Sequence, residues 1–284
     1  MGVLLTAGCS TEPQTLDELK TSVEEYLAGE EGEFAVWFQD LNEPERSFGI
    51  NEHTVFHAAS TMKTPVMIEI YKRAAQGEFS VRDSITIKNE FTSIVDGSPY
   101  SIDLQPDSND PIEHQIGEQT TIYDLMHAMI TYSSNVATNM MIELVGAEET
   151  TQSMRELGAD DILVLRGVYD MKAFERELSN RTTARDLGII LKAIADGEIL
   201  GEEAHDEMMD ILKDQFYRDV IPRFLPDEAV TATKSGSISG VEHDSGIVML
   251  PDGQRYVLVF LSRNLPDDDY GRVIGGTVSK MVYD

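Results

Sequence analysis

The chain of 284 residues has one cysteine, Cys9, so no internal disulfide can form. Basic side chains are scarce: 22 Lys and Arg stand against 51 Asp and Glu, a formal net charge of -29. Such a surface repels nucleic acid and anionic lipid, which excludes a polyanionic partner. It reads as a solvated acidic coat, of the kind a high-salt habitat would favour. No stretch approaches the ~18 consecutive apolar residues of a membrane span. Internal repeats are missing too. Acidic runs such as "GEEGE" (29–33) and "PDDDY" (266–270) lack the alternating acids and central glycine of a calcium loop, so no metal site is expected.

The first residues, "MGVLLTAGCSTEPQ", place a short apolar run and small residues directly before Cys9. This resembles the lipobox of bacterial lipoproteins, in which the cysteine becomes the lipidated N-terminus; the positive start and most of the apolar run are missing. The expectation is an exported protein, periplasmic or extracellular, with a possible lipid anchor at Cys9. Residues 1–15 then form a signal remnant and linker.

Apolar spacing predicts helices over 16–29, 62–78, 121–130, 135–146 and 182–198, the last with Thr183 and Asp186 as a capping pair. Strands are expected at 33–41 and 46–50, and again at 243–250 and 255–263 around the turn "PDGQ", with a closing helix over 271–283. Strands near both ends with helices between imply an α/β (α+β) fold. An antiparallel sheet is built from both termini, and an all-helical sub-domain is inserted. The expected division is 16–60 with 220–284 for the α/β part and 61–219 for the helical part. The stretch 89–119, rich in Pro, Asp, Ser and Asn, reads as a long functional loop placed where it could cover a cleft.

Three short motifs carry chemistry. "STMK" puts Ser60 one helical turn before Lys63, a hydroxyl beside an amine that burial could make basic. "YSSN" offers Ser133 and Asn135 between two helices; helix capping explains them equally well in isolation. "TKSGS" offers Lys234, Ser235, Gly236 and Ser237 before the hairpin, on an edge strand able to pair with a substrate backbone, or merely a surface turn.

In this order the motifs resemble the class A β-lactamase branch of the penicillin-recognising serine hydrolases, over nearly the whole chain from about residue 16. Phe56, Asn139 and "TTARDL" (182–187) add to the likeness. The resemblance implies that Ser60 attacks an amide or lactam carbonyl while Lys63 manages its proton. Ser133 passes a proton to the leaving nitrogen, steadied by Lys234, which also draws the substrate carboxylate. Asn135 and the strand residues Ser235, Gly236 and Ser237 bind the substrate, and the amides of Ser60 and Ser237 form the oxyanion hole. Arg263 and Arg272 are candidates for holding a substrate carboxylate. No cofactor is implied, and the six histidines, His57 and His243 among them, need no catalytic role. The implied partner is a small-molecule β-lactam or peptidoglycan-like substrate, bound by a monomer.

Hydrolysis of an acyl-enzyme needs a base for water. In the family this is a glutamate in an omega-like loop, here 166–181, within Glu-x-x-Leu-Asn. "ERELS" matches it with Glu175, Leu178 and Ser179. Asp170 and Glu177 are rival acids. Ala173 stands where the family has arginine, Ser134 where class A members carry aspartate, and the loop differs in length. Three readings stay open: a β-lactamase deacylated through Glu175; a D,D-peptidase, esterase, amidase or slow acyl-trapping protein; and an acylated, non-catalytic sensor.

Overall fold

A computed structural model describes residues 15–284; Cys9 and its lipobox-like surroundings lie outside the described residues. In chain order come α1 (Leu16–Ala28), β1 (Glu33–Asp40), β2 (Ser47–Ile50), β3 (Phe56–His57), a 3-10 turn (Ala59–Met62) and α2 (Lys63–Ala75). Then follow β4 (Ser84–Thr86), β5 (Phe91–Thr92), β6 (Pro99–Tyr100), β7 (Gln119–Thr121), α3 (Ile122–Thr131), α4 (Asn135–Val145) and α5 (Ala147–Glu156). The remainder is α6 (Met171–Glu175), β8 (Arg181–Thr182), α7 (Ala184–Ala195), α8 (Glu202–Lys213), β9 (Val230–Ile238), β10 (Val241–Met249), β11 (Arg255–Arg263) and α9 (Asp268–Tyr283).

The main sheet has the order β2-β1-β11-β10-β9, every pair antiparallel, so both ends of the chain meet in it. Strands β10 and β11 are buried almost throughout because helices cover both faces. On one face Leu258 and Phe260 pack with Val23 and Leu27 of α1 and Ile274 and Val278 of α9. On the other, Val257, Val259 and Leu261 join Leu187, Ile190 and Leu191 of α7 and the helical insert. Each such side chain, fully buried, contributes about 1.5–3 kcal/mol. Helix α7 lies inside the stretch 61–219 yet packs against the sheet. Gly188 permits this: a Cβ there would come within 2.1 Å of the Trp37 ring.

Capping drives the helix starts. Thr15 and Glu18 form a capping box on α1, as do Thr121 and Asp124 on α3, and Thr183 accepts from the Asp186 amide on α7. Two helices exceed the apolar pattern. Helix α5 buries Thr150, Thr151 and Ser153 beside a single Met154, and α8 gathers its apolar residues in its second half. The closing helix begins at Asp268, three residues before the expected start, because Asp267 caps it through the Tyr270 amide. The 89–119 stretch is not structureless: it holds the β5–β6 ladder and a 3-10 turn, Pro111–His114, capped by Asp110. Among the described residues no helix is long and apolar enough to cross a membrane.

Candidate active site

Ser60 lies half-buried on the 3-10 turn that runs straight into α2. Thr61 draws that turn tight, its amide and hydroxyl both donating to the Ala58 carbonyl at 3.1 and 2.6 Å. Ala59 adopts φ 46°, a left-handed conformation that costs a residue with a Cβ and needs surrounding support. Lys63 follows at the first residue of α2, fully buried.

The Lys63 ammonium reaches across to the α3–α4 loop, 2.7 Å from the Ser133 carbonyl, 3.0 Å from Ser133 Oγ and 3.0 Å from Asn135 Oδ1. Ser133 is itself left-handed, at φ 55°. Its neighbour Ser134 takes the capping role, accepting from the Ala137 amide on α4. From the sheet side, Lys234 of β9 brings its Nζ to 3.3 Å from Ser133 Oγ and 2.8 Å from the Ser235 carbonyl. The Ser133 hydroxyl is therefore held between two buried amines from two halves of the fold.

Electrostatics make both amines weak holders of their protons. Burial pulls Lys63 well below the ordinary lysine range, the nearby Lys234 charge adds to this, and Asp110 opposes it. Burial lowers Lys234 to about 7 against the attraction of Asp244. Asp244, equally buried, is pushed up to about 7 although the Ile221 and Ser245 amides, each at 3.0 Å, donate to it.

A cleft of about 700 Å³ opens over these groups. Ser60, Ser133, Asn135, Ser235, Gly236 and Ser237 all line it. Gly236 sets the spacing, because a Cβ there would stand 2.9 Å from the Ser60 amide nitrogen and 3.1 Å from that of Thr61. Only glycine lets β9 run this close to the Ser60 turn. Of the two candidate arginines, Arg272 lines the cleft, with its guanidinium 3.1 Å from the buried Glu242, which also accepts from Ser237 Oγ at 2.6 Å. Arg263 instead pairs with Glu33 and stacks over Phe56, outside the cleft lining.

The omega-like loop is well anchored. Asn139 clasps Val168, accepting from its amide at 2.7 Å and donating to its carbonyl at 3.0 Å. Asn180 accepts from the amides of Leu165 and Arg166 and donates to the Arg166 carbonyl. Arg166 reaches the Leu178 carbonyl at 2.7 Å. Asp170, buried, accepts from Ser93 Oγ and the Ile94 amide and caps α6, so this rival acid is an anchor between the two long loops. The loop presents Val168, Tyr169, Met171 and Phe174 to the cleft. Glu175 ends α6 as an exposed side chain and is not among the residues lining the cleft; Glu177, at φ 59°, is exposed as well. The structure therefore does not bring Glu175 to Ser60. Asn180, one place beyond the Ser179 that the motif match selects, is the side chain that bonds Leu165 and Arg166.

Sequence reasoning missed several cleft residues. Asp110 and Glu113 reach it from the 89–119 loop, whose length and composition marked the loop but not these two residues. Burial lifts the Asp110 carboxyl, with the Ser134 hydroxyl, the Ile112 amide and Lys63 opposing. His57 and Arg166 also line the cleft; neither belongs to a motif.

An antiparallel sheet fed by both termini, a helical insert and a Ser-Lys-Ser-Lys cluster at their junction define the β-lactamase/transpeptidase-like fold class. A profile of the β-lactamase enzyme family matches residues 18–284, and the chain belongs to that family. A β-lactamase of Bacteroides uniformis is 23% identical over 95% of this chain and 92% of that protein. The structure of PBP-A, in a mutant form captured as an acyl-enzyme complex with penicillin G, is 28% identical, with TM-score 0.80 over 95% of this chain and 96% of that one. The TLA-1 extended-spectrum β-lactamase shares the fold at TM-score 0.83, 21% identical, over 95% and 99% of the two chains.

Proposed function

We propose that the protein is a serine hydrolase acting on β-lactams through an acyl-enzyme on Ser60, and that release of the acyl group is its slow step. The observation that carries this is the Ser133 hydroxyl held between Lys63 and Lys234 beside the Ser60 turn. A neutral Lys63 amine takes the Ser60 proton as Oγ adds to the lactam carbonyl. The amides of Ser60 and Ser237 receive the developing oxyanion. When the C–N bond breaks, the Ser133 hydroxyl gives its proton to the leaving nitrogen and is reprotonated from Lys63 or Lys234, which balances the step. Arg272 and Lys234 offer positive charge to the substrate carboxylate.

Slow release follows from the loop. Among its cleft-facing side chains, Arg166, Val168, Tyr169, Met171, Phe174 and Asn180, none is a carboxylate, and Glu175 faces solvent; of the acids that line the cleft from the 89–119 loop, Asp110 caps a 3-10 turn and Glu113 accepts from the Gln105 amide. Geometry decides before basicity does: a carboxylate outside hydrogen-bond reach of the water cannot activate it. The same first half-reaction would serve a D,D-peptidase, and the likeness to PBP-A, whose mutant is held as a penicillin G acyl-enzyme, supports the acylation step that both readings share.

Intact mass during reaction with a chromogenic cephalosporin tests this. The expected result is a single acyl adduct that persists after the burst, absent in Ser60→Ala. Glu175→Gln should change its decay by less than about twofold. Rapid turnover without adduct, slowed at least about a hundredfold by Glu175→Gln, would restore Glu175 as the base.

A further inference from the structure

The left-handed Ala59 turn has a support that no motif predicts. The Ala59 amide donates to His57 Nδ1 at 3.0 Å. That bond requires Nδ1 to be bare, so His57 carries its proton on Nε2 or is not held at all. The His57 carbonyl is itself fixed: it accepts from His243 Nε2 at 2.9 Å. His243 Nδ1 in turn accepts from the Ser262 amide at 3.1 Å, and Phe56 stands edge-on to the His243 ring at 6.0 Å. A line of hydrogen bonds thus runs from β11 through β10 to the residue preceding the nucleophile.

We propose that His57 is a positioning residue: its neutral imidazole holds the Ala59 turn that presents Ser60, and protonation of Nδ1 releases that turn and stops acylation. Resting on the reaction proposed above, this adds a proton switch to its first step. Nδ1 cannot accept from the Ala59 amide and carry a proton at once. Without the bond, Ala59 keeps an unfavourable backbone and loses a partner for its buried amide.

Arg166 faces His57 from the omega-like loop, Arg181 is its partner across the β3–β8 ladder, and His243 faces it from β10. His243 stays neutral because burial lowers it to about 4. Burial, and then the Arg166 charge, lowers His57 below the usual histidine value. The sign follows: the bare form prevails at neutral pH, and the turn is lost as pH falls through this lowered value.

The experiment is the pH profile of acylation by a fluorescent penicillin for wild type, His57→Asn and His57→Leu. An asparagine carbonyl can accept where Nδ1 does and does not titrate. The expected outcome is an acid limb that wild type and His57→Asn share through Lys63, followed below the usual histidine range by a further, steeper fall in wild type that His57→Asn lacks, and a loss of about tenfold or more at every pH in His57→Leu. An equally steep fall in wild type and His57→Asn, or wild-type acylation by His57→Leu, overturns the proposal. The imidazole nitrogen-15 shifts of His57 are read in the same samples. Nδ1 should report as a hydrogen-bonded acceptor at neutral pH, with the Ala59 amide shifting as it titrates. A proton on Nδ1 at neutral pH overturns the proposal whether or not penicillin reacts, which separates its failure from that of the proposed reaction.

Discussion

At the scale of single residues, the site depends on one missing side chain as much as on those present. A Cβ on Gly236 would stand 2.9 Å from the Ser60 amide nitrogen, and backbone cannot move aside as a flexible side chain would. Gly236→Ala is therefore expected to cut acylation about a hundredfold while costing about 1–3 kcal/mol of stability. Stopped-flow acylation and thermal melts check this; a rate within threefold of wild type would show that the strand can retreat. The motif residues were legible because each motif is local. Ser60 and Lys63 share one turn, Ser133 and Asn135 one loop, and Lys234 to Ser237 one strand. What the sequence did not disclose is what depends on distant pairing. Asp110 acts on the Lys63 charge from the 89–119 loop, and His57, which bonds the Ala59 amide, has its carbonyl held by His243 from β10. Glu175 shows the opposite case. Its local pattern matches, but Asp170 and Asn180 fold the loop so that the glutamate faces solvent.

At the scale of elements, the sheet and most helices follow from apolar period and caps. Helices α5 and α8 escaped because their buried faces are largely polar or confined to one end. The two long loops act as one unit, since Asp170 binds both Ser93 Oγ and the Ile94 amide while capping α6. Removing a buried carboxylate that satisfies three donors costs about 1.5–3 kcal/mol and leaves those donors unpaired. Asp170→Ala should lower the melting temperature and speed proteolytic cutting within 89–119 and 165–181. Cutting confined to one of the two loops would show that they do not depend on each other.

At the scale of the whole molecule, charge dominates. With 51 acids and 22 bases, at least 29 acids have no basic partner of their own, so screening relieves more repulsion than it removes attraction. Raising salt from about 0.05 M to about 1 M is expected to raise the melting temperature by several degrees. Calorimetry at both salts decides it, and a fall would mean that surface pairs such as Lys88–Glu143 outweigh the excess acid. The clasps that anchor the omega-like loop are built on different forces. Asn139 grips Val168, and Asn180 grips Leu165 and Arg166, through uncharged amides. Dissolved ions have almost nothing to screen in these clasps. These clasps on the omega-like loop are therefore expected to hold alike in dilute water and in brine, whatever salt does to the acidic exterior.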